Sequence, residues 1–185
     1  MQKTIIILAA ASALALAACT DKETSSADPS TQTVAGANDS VSALLAKAGD
    51  MKLLTGAMAA TGMDGVFSGK GDYTVLAPTD AAFSALGDKG ATLSDPEQKA
   101  ALAAILRDHI LPGTLTTADI GRAIDASSGR SVTMRTVGSG SITFARDSQG
   151  IIATSADGVK GKITGEGTVG SNGAVLPIDT LLKKV

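Results

Sequence analysis

The 185-residue chain contains only one cysteine and one histidine, and it has no tryptophan. A single cysteine excludes an intrachain disulfide and any zinc or iron–sulfur site built from several cysteines. A single histidine excludes metal motifs that need two imidazoles. With one tyrosine and three phenylalanines, the chain also lacks the aromatic platforms on which single-stranded nucleic acids stack. The composition therefore predicts a domain without metal or other cofactor, and it excludes most classes of enzyme.

Charge is nearly balanced, since 16 Lys and Arg stand against 18 Asp and Glu and the formal net charge is −2. No basic stripe is visible along the sequence, so nucleic acid is not predicted as a partner. Hydrophobic residues make up 44% of the chain, which is enough for a sizeable core. The length suits one domain with additional segments, and we expect this domain to be monomeric.

The N-terminus has the layout of a secretory signal peptide. Lys3 precedes an apolar run from Thr4 to Ala18 that only Ser12 interrupts. A basic start followed by a short apolar region is typical of a secretory signal. The run is too short for a transmembrane helix, which needs about 20 apolar residues.

The end of this run, Leu16-Ala17-Ala18-Cys19, resembles the lipobox of bacterial lipoproteins. The resemblance implies cleavage between Ala18 and Cys19 and attachment of lipid, palmitate included, to Cys19. Two or more acyl chains on one residue bind a membrane stably. Thr20 stands where an Asp would signal retention in the inner membrane, which favours the outer membrane. The alternative is an ordinary signal peptide that leaves Cys19 as a free thiol.

A polar segment follows the cysteine and predicts a tether. Residues 20–39 are rich in Ser, Thr and Asp and show no apolar periodicity, so they cannot bury enough surface to fold. As a flexible coil they would span about 25 Å on average. We therefore divide the chain into a signal peptide (1–18), a lipidated cysteine with its tether (19–39) and a folded domain (40–185).

Hydrophobic spacing within the domain changes from helical to alternating along the chain. Helices are predicted from Val41, from Met51 to Thr61 and from Ser94 to Asp108, while Tyr73–Ala77 reads as an early strand. The second half alternates between polar and apolar residues, as in 131–137, and glycines punctuate it in the manner of hairpins. This order predicts an α+β domain with a mostly antiparallel sheet.

Three segments of the domain together resemble the fasciclin domain family. The first is Tyr73-Thr74-Val75-Leu76-Ala77-Pro78-Thr79-Asp80-Ala81-Ala82-Phe83, and it is the most specific of the three. The second is Leu106-Arg107-Asp108-His109-Ile110-Leu111-Pro112-Gly113, and the third runs from Asn172 to Leu182. The resemblance implies a β wedge with several helices packed along one side and a role in adhesion without catalysis. Asp108 stands where the family usually has Tyr, and Leu176 where many members have His, so receptor contacts of that pair are not carried over.

His109 is the only residue able to act as an imidazole base or ligand. One interpretation is contact with a partner or a metal such as haem iron. The favoured interpretation is a buried ring hydrogen-bonded to a nearby backbone group, or to Thr79 or Asp80, which holds a helix against the sheet. Thr79, Asp80, Asp108 and His109 together form the candidate structural or interaction motif, without catalytic residues and without a metal site.

Two functions follow from these observations. The first is a lipid-anchored, non-catalytic domain of the cell envelope, in the periplasm or at the cell surface, that binds a protein or matrix partner. The alternative is a periplasmic binding protein that holds a small apolar ligand between its helices and its sheet.

Overall fold

The computed structural model describes residues 38–68, 71–93 and 95–184 of the chain. The α-helices within these residues are α1 (Val41–Lys47), α2 (Lys52–Thr61), α3 (Asp80–Ser84), α4 (Asp88–Leu93), α5 (Lys99–Asp108) and α6 (Thr117–Ala126). Short 3-10 helices lie at Met63–Ser68 and Pro96–Gln98. The strands are β1 (Tyr73–Pro78), β2 (Ile110–Pro112), β3 (Ser131–Arg135), β4 (Ser141–Asp147), β5 (Gly150–Ser155), β6 (Lys160–Lys162), β7 (Thr168–Gly170) and β8 (Gly173–Ile178). The predicted α+β class is confirmed.

Local signals in the sequence set several helix ends. The Ser40 side chain accepts a hydrogen bond of 3.2 Å from the backbone N–H of Ala43 and so caps α1. Helix α2 ends at Gly62, whose φ of 70° lies in the left-handed region that glycine adopts without a steric cost. Helix α6 begins with a capping box in which Thr116 and Asp119 each satisfy a backbone N–H of the other.

The strands form two four-stranded sheets. The first has the order β2-β1-β8-β7, and the second has the order β3-β4-β5-β6. All pairings are antiparallel except that of β1 with β8, which run parallel in the middle of the first sheet. A bridge between Ile163 and Ile178 connects the end of the second sheet to β8. The mostly antiparallel prediction therefore holds, with two sheets in place of one.

The first sheet lies in the middle of the domain and carries a core on each face. Val75 and Ala77 of β1 and Val175 of β8 pack with the helical layer that includes α1, α2 and α5. Leu76 and Leu176, which point the opposite way, pack with α6 and the inner face of the second sheet. A strand that is apolar on both faces reads as a continuous hydrophobic run, which explains the sequence Tyr73–Ala77.

Two regions differ in detail from the sequence interpretation. The predicted helix from Ser94 to Asp108 is divided, since a 3-10 turn at Pro96–Gln98 precedes α5, and Ser94 itself lies outside the described residues. Helix α6, which the sequence interpretation did not include, lies between β2 and β3 and closes the second core through Ile120 and Ile124.

Candidate functional site

His109 joins three parts of the domain. It is the C-terminal cap of α5, and its side chain has no exposed surface. The ring Nδ1–H donates to the carbonyl oxygen of Ile105 over 2.8 Å, and Nε2 accepts the backbone N–H of Leu182 over 2.9 Å. The carbonyl oxygen of His109 accepts the N–H of Leu76 in β1 over 2.8 Å. One residue thus connects helix α5, the central sheet and the C-terminal segment.

Both ring nitrogens of His109 are therefore occupied by backbone groups, and neither Thr79 nor Asp80 is a partner. Burial is the main cause that lowers the pKa of His109 below its ordinary value of 6.5. The hydrogen bond with Ile105 and the neighbouring charge of Asp108 oppose this effect. Because Nε2 accepts from an N–H, the ring is the neutral tautomer with its proton on Nδ1. Such a ring has no lone pair free for a metal or a substrate.

This lowered pKa predicts a specific pH dependence of stability. The unfolded chain takes up a proton on its histidine near pH 6.5, whereas the folded chain does so only at lower pH. The contribution to stability is therefore complete above pH 6.5 and decreases as the pH falls below it, by at most about 1.4 kcal/mol per pH unit. Urea unfolding of the full chain at pH 7.5 and 5.5 should show this decrease.

His109→Gln is the matched control for that measurement, because it has no titrating ring. Its free energy of unfolding should change much less between the same two pH values. Asp119 and Asp157 also have lowered pKa values, below 3.8, through hydrogen bonds from Thr116 and Lys183 respectively. Their contributions to the free energy of unfolding are lost only at lower pH. The change in stability between pH 5.5 and 7.5 is therefore assigned to the histidine. Equal pH slopes for the two proteins would contradict the assignment.

Asp108 anchors the connection between β3 and β4. Its Oδ1 accepts from the Thr136 hydroxyl over 3.2 Å and from the Gly140 N–H over 3.1 Å. Its Oδ2 lies 3.8 Å from Nζ of Lys183, which pairs more closely with Asp157 at 2.9 Å. Asp108 and His109 are adjacent in sequence and both contact the C-terminal segment, Asp108 through Lys183 and His109 through Leu182. Asp108 in addition holds the connection between β3 and β4.

Thr79 and Asp80 hold helices at the other end of β1. The Thr79 side chain accepts from the N–H of Ala82 over 3.4 Å and caps α3. The Asp80 carboxylate accepts the N–H of Leu53 over 2.8 Å, at the start of α2, where Met51 provides no side-chain cap. The four motif residues therefore act as two separate pairs of structural contacts and form no common site.

Two further residues have comparable roles that the sequence interpretation did not assign. The buried Thr74 hydroxyl donates to the carbonyl oxygen of Gly113 and accepts the N–H of Leu115, each over 2.7 Å. Asn172 accepts the N–H of Val41 over 2.8 Å, and its side-chain amide donates to the carbonyl oxygen of Phe67. A threonine in an otherwise apolar strand and an asparagine before glycine are the sequence signals for these contacts.

The predicted lipid attachment at Cys19 and cleavage between Ala18 and Cys19 lie outside the described residues, as do the signal peptide and all but the end of the tether. Within the described part of the chain, no helix combines the length and apolar character needed to cross a membrane. The same residues contain no group of three or more His, Cys, Asp or Glu side chains placed to hold a metal ion.

Several clefts mark the surface. An apolar groove of about 390 Å³ lies among the helices and is lined by Leu53, Ala57, Phe83 and Leu102. It lies within the helical layer, whereas the alternative function placed its ligand between helices and sheet. Two further clefts, of about 580 and 390 Å³, flank the second sheet and share Arg146 and Lys162.

The helical layer, the central sheet and the second sheet form an α+β domain. Its motif residues contact internal partners. The fasciclin domain model matches residues 49–184, so the chain belongs to the fasciclin domain family. Fasciclin domains are generally related to cell adhesion.

The fold is shared with a solved FAS1 domain pair from the insect cell adhesion molecule fasciclin I. The similarity has a TM-score of 0.55 and 20% sequence identity, and it covers 71% of this chain and 43% of that chain. The present chain thus spans less than half the length of that solved chain. No curated protein matches the sequence.

Proposed function

We propose that this chain is a lipid-anchored, non-catalytic domain of the cell envelope that binds a protein or matrix partner. Membership of the fasciclin family supports a role related to adhesion, as does the insect relative, which is itself named a cell adhesion molecule. The observation that carries the proposal is the engagement of every motif residue by internal partners. Because these residues hold helices and strands together, they serve as a structural scaffold. Binding of a partner would then depend on other residues at the surface of the domain.

The engagement of His109 supports a non-catalytic role. The only imidazole of the chain has its lone pair directed at the N–H of Leu182 and its proton at the carbonyl of Ile105. General acid–base catalysis needs a group that can reach the substrate directly or through one water. His109 meets neither condition, since it has no exposed surface.

The anchor determines where such a scaffold would act. A lipid on Cys19 and a polar tether over residues 20–39 would hold the domain near a membrane while leaving its surface accessible. We place the domain at the outer membrane in preference to the inner membrane, because Thr20 follows the cysteine.

Replacement of Cys19 by Ala tests the anchor. We expect the variant to appear in the soluble fraction of the envelope or to remain unprocessed, whereas wild-type protein fractionates with membranes. Thr20→Ala is the matched control, because it changes the neighbouring residue and leaves the predicted acyl acceptor intact. Labelling with a palmitate analogue should mark wild type and Thr20→Ala only. A Cys19→Ala chain that is processed and stays in the membrane fraction would refute the anchor.

Crosslinking in intact cells tests the interaction. Wild-type chain should yield adducts with envelope components that Cys19→Ala forms less efficiently, because that variant is either released from the membrane or left unprocessed. Recovery of only the uncrosslinked monomer from intact cells would count against a partner-binding role.

A further inference from the structure

Charge is distributed unevenly between the two halves of the domain. Residues 38–128, which include the helices named above, contain seven Lys and Arg against eleven Asp and Glu. Residues 129–184, which supply most of the strands, contain seven Lys and Arg against four Asp and Glu. A chain with a net charge of −2 therefore has an acidic helical half and a basic β-rich half.

The second sheet presents some of these basic side chains on one face. Alternate residues of β4 and β5, such as Phe144 and Ala153, point inward to the core. The residues between them form two cross-strand rows on the outer face. These rows are Thr133–Thr143–Thr154–Lys160 and Ser131–Ala145–Ile152–Lys162. The first row has three threonines, the second has Ser131, Ala145 and Ile152, and each row ends in a lysine.

The two lysines are available to a ligand. They lie two residues apart on the same face of β6, or about 6.7 Å along the strand. No ion pair between either of them and an acidic side chain is present in the described part of the chain. The nearby carboxylates already accept backbone N–H groups, Asp147 from Gln149 and Asp179 from Lys162. These carboxylates reduce the positive charge of the face without pairing with the lysine ammonium groups.

Clefts on both sides of Lys162 give the face a concave path. One, of about 390 Å³, contains Thr154, Lys160 and Lys162. The other, of about 580 Å³, lies between the start of α6 and the end of β6, and it contains Thr117 and Lys162. Arg146, which is half exposed and lies 3.6 Å from Asp125, lines both clefts. Three cations and several hydroxyls therefore follow one path across the edge of the sheet, and the carboxylates that also line it are Asp147, Asp179 and Glu166.

The chemistry of this path selects among partners. Within the described residues, the exposed large hydrophobic side chains are Leu53, Val66 and Val137, and strands β3–β6 contain none of them. Surfaces that insert into lipid carry fully exposed apolar or aromatic residues, whereas Ile152, the large apolar residue in the two rows, is only partly exposed. Phe144, the aromatic residue of these strands, is fully buried and cannot stack on a neutral sugar ring. Ammonium and hydroxyl groups, with Ile152 as the one larger apolar side chain in the two rows, suit a hydrated polymer that carries carboxylates.

We propose that the outer face of β3–β6 and its two clefts, centred on Lys160 and Lys162, bind an acidic polysaccharide. This inference names the partner class of the proposed interaction domain and so rests on that proposal. The ammonium groups pair with carboxylates of successive sugar units, and the threonine row bonds to sugar hydroxyls. Because the contacts are exposed and ionic, salt weakens the binding.

The test measures binding of polygalacturonate to the full chain in neutral detergent micelles, with dextran as the uncharged polymer. We expect polygalacturonate to bind and dextran not to bind. The double variant Lys160→Glu/Lys162→Glu should lose about tenfold or more in affinity, because it reverses the local potential. The matched control Lys52→Glu/Lys99→Glu makes the same charge change at two exposed lysines of the helical half. It should stay within about twofold of wild type, since its sites are remote from the sheet face.

Lys160→Gln/Lys162→Gln is a milder variant in case the charge reversal misfolds the protein, because it removes the two positive charges without adding negative ones. Its loss of affinity should be intermediate. Thermal melting of every variant reports whether it is folded. Equal affinity of wild type and both sheet-face variants would overturn the proposal, as would binding to dextran or stronger binding to phosphatidylglycerol vesicles than to polygalacturonate. The assay requires no anchor. If polygalacturonate does not bind but membrane fractionation and crosslinking give the expected results, only the polysaccharide proposal is refuted. If fractionation and crosslinking themselves fail, the proposed function is refuted.

Discussion

Gly173→Ala should prevent the domain from folding, or should lower its free energy of unfolding by about 4 kcal/mol or more. Gly173 begins β8 and pairs with Tyr73 of β1 in the parallel register at the centre of the first sheet. Its φ is +146°, a conformation that residues with a Cβ rarely adopt. A Cβ built there would lie 1.8 Å from the carbonyl oxygen of Tyr73. Because the obstacle is backbone, relief requires separation of the two central strands.

Gly158→Ala is the matched control for this substitution. Gly158 also has a positive φ, of +81°, but a Cβ there meets no atom within 4 Å. It should therefore cost only the conformational strain, about 1–2 kcal/mol. Urea unfolding of the full chain measures both variants, and the soluble yield reports a failure to fold. If the two alanine variants were equally stable, the close approach of β1 and β8 described above would be wrong.

Gly173 shows which features could be predicted from the sequence and which could not. Asparagine followed by glycine is typical of a hairpin turn, and β7 and β8 form a hairpin at Asn172-Gly173. The parallel pairing of Gly173 with Tyr73 joins residues far apart in the chain. Short-range patterns carry no information about such a pairing, because they report turn geometry and periodicity only. The strand Tyr73–Ala77 was predictable because its apolar run is local.

Helix α6 was predictable in principle. Thr116 and Asp119 have the spacing of a capping box, and Ile120 and Ile124 follow at helical spacing. This signal lies in the segment between Gly113 and the alternating residues of the second half. The segment was not assigned to a helix, although the signal is present in the sequence. The basic face of the second sheet is different, since it depends on the register of four strands that no linear stripe of charge reveals.

The two hydrogen bonds of the His109 ring likewise include one that could be predicted from the sequence and one that could not. Ile105 lies four residues before His109, so a hydrogen bond to its carbonyl follows from helix geometry. Leu182 lies 73 residues after it, and only the fold brings its N–H to Nε2. The sequence supported a buried histidine bonded to backbone, but it could not identify the C-terminal segment as the second partner.

His109→Ala should lower the free energy of unfolding by roughly 3–5 kcal/mol, because it removes a fully buried ring and leaves a cavity. The loss also leaves the N–H of Leu182 and the carbonyl of Ile105 without their partner, and an unsatisfied buried group costs about 1–3 kcal/mol. Urea unfolding at pH 7.5 gives the free energy. We expect the C-terminal segment after β8 to lose its protection from hydrogen exchange first.

His109→Gln separates the structural role from a functional one. Its amide can accept the N–H of Leu182 and donate to the Ile105 carbonyl, so it should recover part of the stability that His109→Ala loses. Binding of crosslinked envelope partners, normalised to the folded fraction, should be the same for wild type and both variants. This expectation follows because the ring has no exposed atom with which to contact a partner. A His109→Ala protein that is as stable as wild type and yet fails to bind would make the histidine a functional residue and would reverse the structural assignment.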